Sequence, residues 1–292
     1  MRNFPRGVSF PLEVRSFHRA GGPPVSKEEQ DDQVASDSEI IATQDEEIDR
    51  TGAGPGWLRG VFRRPHLLQK LAQGRRALVK RLALIIGGLL LLPYLITLVY
   101  AVVPPPASAL MLIRLVQGVI PHYDWVPMDE ISPHLARAVI SSEDQRFCMH
   151  SGIDWVAVSR VIEDDESRGA STITMQTAKN LFLWPGRSYL RKALEVPLAL
   201  WIDLIWSKRR VMEVYLNIAE FGRGVYGAEE AARRHFGKRA KDLTRREAAL
   251  LAAVLPNPLV RSAGKPGRLT NRITNLIQRR MAGIGPYAVC VN

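Results

Sequence analysis

The sequence predicts a mainly α protein, with a single membrane-crossing helix followed by a helical domain. Three observations carry this. Residues 82–103 (LALIIGGLLLLPYLITLVYAVV) hold no charged side chain. Beyond them, apolar residues recur at spacings of three and four, the repeat of a helix with one buried face. No run of alternating apolar and polar residues marks a strand with confidence, and only near 112–126 does the pattern admit a short β-hairpin.

The 292 residues are 46% hydrophobic and 24% charged, an average that looks globular. The net charge of +11 predicts attraction to polyanions, whether phosphorylated ligands, nucleic acid or an anionic membrane surface. Two cysteines exclude a disulfide-stapled miniprotein and a four-cysteine zinc site. The lack of any sustained period excludes repeat, collagen-like and coiled-coil architectures.

Residues 1–81 form the first segment, which contains few aliphatic clusters. From 27 to 50 there are ten acidic residues against two basic ones, so the stretch buries too little apolar area to offset its ordering entropy and reads as disordered. From 59 to 81 the sign reverses, with eight Lys/Arg and no carboxylate. The apolar span 82–103 follows directly. As a helix it would extend about 33 Å, matching a hydrocarbon core of roughly 30 Å. Its depth in the chain and the Pro104-Pro105-Pro106 that ends it argue against a cleaved signal peptide. Pro93 is tolerable as a mild kink. The basic flank Arg75, Arg76, Lys80 and Arg81 puts the N-terminus in the cytoplasm. Residues 104–292 then lie outside, in the periplasm of a Gram-negative cell. That segment is itself basic, with 26 Lys/Arg against 18 Asp/Glu. Its place outside the cytoplasm excludes a nucleic-acid partner.

Within 104–292, helical spacing runs through 135–140, 178–183, 190–205, 211–216 and 248–255. Turn signals at Trp184-Pro185-Gly186, Gly222-Arg223-Gly224 and Pro256-Asn257-Pro258 punctuate these runs. Pro197 is expected to bend the helix that holds it.

Four clusters could carry chemistry. In SSEDQRFCMHSG, residues 141–152, a continued helix would put Glu143, Phe147 and His150 on one face, with Asp144 about 100° away. Such a Glu is either a desolvated general base or a capping, salt-bridged residue beside a core Phe. In RGASTITMQTAKN, residues 168–180, Ser171 is expected to cap a helix on which Thr172, Gln176 and Lys179 share a face. That suits either a phosphate site or an ordinary capped amphipathic helix. In RSYLRKALE, residues 187–195, Arg191 and Lys192 stand one turn before Glu195. They make either an exposed intrahelical pair or a diphosphate clamp with a carboxylate near the reacting carbon. The fourth, residues 207–237, reads mostly as scaffold.

Taken in order, EDQRFCMHSG, RGASTITMQ, RKALE, KRRVMEVYLN and RGVYGAEEAA resemble the five-motif series of the peptidoglycan glycosyltransferases, over about residues 126–258. Too little chain follows to hold a penicillin-binding domain, so the monofunctional members are the closer match. The resemblance implies a lysozyme-like, two-lobed helical fold and polymerisation of lipid II into β-1,4-linked glycan strands. The reaction would be inverting, with release of undecaprenyl pyrophosphate. By the same resemblance Glu143 is the base, and Glu195 is a second carboxylate that assists departure or positioning of the donor. Lys179, Arg191 and Lys192 hold the pyrophosphate. Ser171 and Gln176, with Asp144 beside them, line the substrate site. Expected partners are lipid II, the growing strand, the inner membrane and other cell-wall synthesis proteins.

The chain departs from the family pattern in two places. Met175-Gln176 stands where the family usually has two glutamines, and the stretch from 155 to 169 is short. Cys148 and Cys290 are expected to remain unpaired. No metal-ligand cluster is evident, although Mg or Mn could help neutralise the pyrophosphate. Two other readings fit parts of the pattern. A lytic, lysozyme-like enzyme would need no cations for a pyrophosphate, and a non-catalytic protein could hold lipid-linked precursors without turnover.

Overall fold

The computed structural model describes residues 65–163, 171–186 and 188–291, with the backbone alone described over 65–72 and at 162. The expectations for the acidic tail, for Asp164-Asp165-Glu166, for Arg168-Gly169 and for Arg187 lie outside the described residues. The chain divides into the units Met1–Leu78 and Val79–Asn292, and every contact below belongs to the second.

Helix α1, Pro65–Tyr100, covers most of the predicted span, starting well before it and stopping three residues short of the expected end. Its apolar stretch, Gln73–Tyr100, is long enough to cross a membrane and almost wholly exposed. The last turns are held by the following domain. Trp206 Nε1 donates to the Thr97 carbonyl at 2.8 Å, and Trp201 Nε1 donates to Thr97 Oγ1 at 2.8 Å. The Arg210 guanidinium caps the helix by donating to the carbonyls of Tyr100 and Val103. Thr97 is fully buried as a result.

The expected hairpin near 112–126 is instead helix α2, Ala109–Val116, followed by strand β1, His122–Tyr123. Ser108 accepts from the Met111 amide and so starts that helix, which overrides the β-branched, apolar look of the segment. Strand β1 runs parallel to β3, Val225–Tyr226, which pairs antiparallel with β2, Glu220–Gly222.

The remaining helices are α3 (Pro133–Glu143), α4 (Trp155–Glu163), α5 (Ile173–Phe182), α6 (Tyr189–Ile205), α7 (Lys208–Ile218), α8 (Ala228–Phe236), α9 (Arg245–Val254) and α10 (Arg268–Met281). Helix α6 continues through Pro197. Residues 248–254 of α9 are all buried, and their alanines let α3 and α10 approach from different sides. A Thr244–Glu247 capping box fixes where α9 begins. Helix α5 packs on α6 and α7, and the end of α3 reaches α5 through hydrogen bonds from Ile173 and Gln176.

The two cysteines are joined, contrary to the expectation. The short helical turns Gly285–Tyr287 and Val289–Val291 fold back on the turn Phe147–Met149 and on α7, which brings Cys290 to Cys148 with their Cα atoms 5.6 Å apart. Local spacing held no sign of this, because the partners are 142 residues apart.

Candidate active site

The first cluster is not one helix. Helix α3 ends at Glu143 and Asp144 is its C-cap, so the Glu143 and Asp144 carboxyls part company. Asp144 is buried and faces inward, where both its oxygens lie 3.0 Å from His150 Nε2. It also accepts from the Ile173 amide at 3.1 Å, at the positive end of α5. The helical-face argument therefore paired His150 with the wrong carboxylate: His150 serves Asp144. Phe147 is fully buried beneath the Lys208 ammonium, which sits 4.7 Å from its ring centre.

Thr172, not Ser171, caps α5, since its hydroxyl accepts from the Met175 amide at 3.2 Å. The same hydroxyl donates to the Gly152 carbonyl at 2.5 Å, tying the first cluster to the second. Gly152 holds φ +75°, and a Cβ there would come within 3.0 Å of the Ala199 carbonyl oxygen on α6. Ser171, freed from capping, accepts from Lys192 Nζ at 3.0 Å.

Glu143 meets α5 through Gln176, whose Nε2 donates to Glu143 Oε2 at 2.9 Å. The other end of that amide accepts from the Tyr215 hydroxyl at 3.1 Å, which fixes which way the amide points. Tyr215 belongs to the cluster read as scaffold, and only its helical spacing was visible in the sequence. Burial pushes the Glu143 carboxyl above its ordinary proton affinity and Asp144 adds to this, while the Gln176 hydrogen bond, Lys179 and Arg261 pull it back. Burial likewise lowers the proton affinity of Lys179, and the nearby Glu195 and Glu143 restore part of it.

The Arg191–Glu195 pair of the third cluster is buried rather than exposed. Glu195 is 2% exposed and takes one cation on each oxygen: Arg191 on Oε2, and Lys192 on Oε1 at 2.7 Å. Arg191 also donates to the Gly186 carbonyl at 3.0 Å. Met175, at one of the two family-glutamine positions, is buried, with its sulfur 3.9 Å from Lys192 Nζ.

Two cavities flank the Glu143–Gln176 contact. One, of about 440 Å³, is lined by Gln176, Lys179, Arg191 and Tyr215, together with Arg114 and Glu220, which no local spacing singles out. Arg114 and Glu220 pair across its wall at 3.5 Å. The other, of about 320 Å³, has Glu143, Asp144 and Ser171 in its wall, with Arg146, Arg160 and Arg280 around them. Six of the eight predicted site residues thus lie on α3, α5 and α6, with Asp144 just past the end of α3 and Ser171 just before α5. Glu143 stands in one cavity and the cations Lys179 and Arg191 in the next. Among the described residues no group of three His, Cys, Asp or Glu is placed to hold a metal ion.

A desolvated carboxylate next to a cation-lined hollow suits the displacement of an anionic leaving group by an oxygen nucleophile, the chemistry of a glycosyltransferase. Comparison with known proteins gives the class its family. Residues 114–282 match the transglycosylase family. A biosynthetic peptidoglycan transglycosylase of Agrobacterium fabrum (strain C58) is 52% identical over 225 residues, which is 74% of this chain and 98% of that protein. The protein of the same description from Rhizobium meliloti (strain 1021) is 52% identical over 219 residues, 73% of this chain and 92% of its own length. That from Rhodospirillum centenum is 54% identical over 211 residues, 70% and 91% respectively. The chain belongs to the transglycosylase family.

Proposed function

We propose that this transglycosylase builds peptidoglycan by polymerising lipid II. In this reading a β-1,4 bond forms with inversion as undecaprenyl pyrophosphate departs. Glu143 takes the proton of the acceptor sugar's 4-hydroxyl as that oxygen attacks the donor's anomeric carbon. Its raised proton affinity makes it a stronger base than an ordinary carboxylate, and Gln176 keeps enough of it ionised to act. Lys179 and Arg191, with Lys192 on the Ser171 side, compensate the charge that develops on the leaving diphosphate. Glu195 assists departure or positioning of the donor through the two cations it holds. Asp144 braces the start of α5. Cations stand at the diphosphate hollow and Glu195 is spent on two of them, so these side chains do not make a resident Mg or Mn site. No step is routed through a metal, and a divalent ion would arrive with the substrate.

The layout follows the sequence reading: a cytoplasmic tail over 1–81, an inner-membrane span over 82–103 and a periplasmic catalytic domain over 104–292. The basic flank before the span supports the orientation. The Cys148–Cys290 bond supports an oxidising compartment. Other cell-wall synthesis proteins are further candidate partners.

The observation that carries the proposal is the desolvated Glu143 set across Gln176 from the Lys179 and Arg191 hollow. The test is to incubate the full chain in detergent with labelled lipid II and read product size. A ladder of long strands is expected. Unconsumed lipid II, or sugar fragments released instead from purified sacculi, would overturn it.

A further inference from the structure

The domain's positive charge is concentrated in one part of the chain. Residues 223–282 carry fourteen Lys/Arg against four Asp/Glu, whereas the rest of 104–292 carries twelve against fourteen. Within that block α10 has an ordered arrangement. Arg268, Arg272, Asn275 and Arg279 fall at i, i+4, i+7 and i+11, within about 60° of one another around the helix axis. All four are exposed, while Thr270, Thr274, Ile277 and Met281 on the opposite side are buried. The three guanidinium groups therefore form a stripe about 16 Å long. None of them is ion-paired with a described carboxylate.

The helix macrodipole does not account for this stripe. It favours Arg279 and Arg280 in the last turn, but Arg268 is the first helical residue, where a cation is disfavoured and where α10 has no acidic residue at all. The stripe ends one residue before a cation of the site. Arg280 is next to Arg279 and lines the 320 Å³ cavity that holds Glu143, beside Arg146 and Arg160. Helix α10 packs on α9 and on α3, the helix that ends in Glu143. The end of the membrane helix is held by different elements, α6 and α7.

We propose that the outer face of α10 is a docking track for the elongating glycan strand, which its arginines hold by the carboxylates of the peptide stems. The inference rests on the polymerase reading and goes beyond it, to a surface outside the two cavities. An extended polymer with anionic groups at intervals matches a row of guanidinium groups at intervals. Adjacency in the chain to a cation of the Glu143 cavity favours the strand over an anionic lipid surface.

The test uses the full chain in nanodiscs of zwitterionic lipid, as wild type, as Arg268→Glu/Arg272→Glu/Arg279→Glu and as the matching triple Lys variant. Binding is measured to glycan strands that carry peptide stems and to strands stripped of them by an amidase. The Glu variant is expected to bind stem-bearing strands at least about tenfold more weakly, with stripped strands unaffected. Wild-type affinity for stem-bearing strands should fall as salt rises. The Lys variant should retain binding, which separates charge from misfolding. The Glu variant should release shorter products while the first coupling of two lipid II molecules stays within about twofold. Unchanged binding to stem-bearing strands overturns the track, and so does a defect that appears only when phosphatidylglycerol is added to the nanodisc. If wild type couples no lipid II, the polymerase reading fails on its own, and the strand-binding arms still decide the track.

Discussion

Glu143 and Glu195 are both glutamates beside α5, both close to Lys179, and their surroundings give them opposite capacities. Glu143 is met by a neutral amide, and its charge is compensated only at a distance, so burial raises its affinity for a proton. Glu195 is met on each oxygen by a cation and is spent as a counter-ion. Two residues of one type thus separate into a desolvated carboxyl and a counter-ion according to what donates to them. The lesson is that a carboxylate's partners, more than its place in a motif, decide whether it can react.

The contrast can be broken most directly at Glu143. Glu143→Gln keeps the shape and removes the basic oxygen, so strand formation from lipid II should fall roughly 10²–10⁴-fold, with a melting temperature equal to or above wild type. A variant that still polymerises at the wild-type rate would end the distinction. Glu195→Gln should do the reverse and act first on stability. It leaves a buried guanidinium uncompensated and should cost about 3 kcal/mol in a denaturant titration, with a raised KM for lipid II. Removing the cross-link by Cys148→Ser with Cys290→Ser should cost about 2–4 kcal/mol in the same titration and change the coupling rate less than tenfold. The smallest effect is expected at Gln176→Leu. The amide hydrogen bond favours the ionised form of Glu143, so without it the carboxyl keeps its proton to higher pH. The acid limb of the rate–pH profile should therefore move upward, and a limb that stays in place or moves down would contradict the role given to Gln176.

Much of this was legible because it is local. The apolar span follows from its uncharged length and the helical repeats of α5, α6, α7 and α9 from spacings of three and four, while the site residues follow from the order of the motifs. What was not legible depends on distant partners. Ser171 and Thr172 compete for one cap, and the Gly152 carbonyl waiting for the Thr172 hydroxyl favours the second. The apparent helical face of Glu143, Phe147 and His150 is broken where α3 stops, because Asp144 turns inward to the start of α5. Arg191–Glu195 looks like a surface pair until α5 and α6 are packed together. Arg114, Glu220 and Tyr215 reach the site from α2, β2 and α7, and no motif joins them.

The Cys148–Cys290 bond has a consequence for how the molecule matures. Cys290 follows Cys148 by 142 residues, so it is synthesised well after its partner. The loop that follows Glu143 is therefore clasped only once the intervening stretch has been made and has reached surroundings that oxidise thiols. A copy held in a reducing compartment keeps both sulfhydryls, so alkylation of free thiols would sort cross-linked protein from reduced.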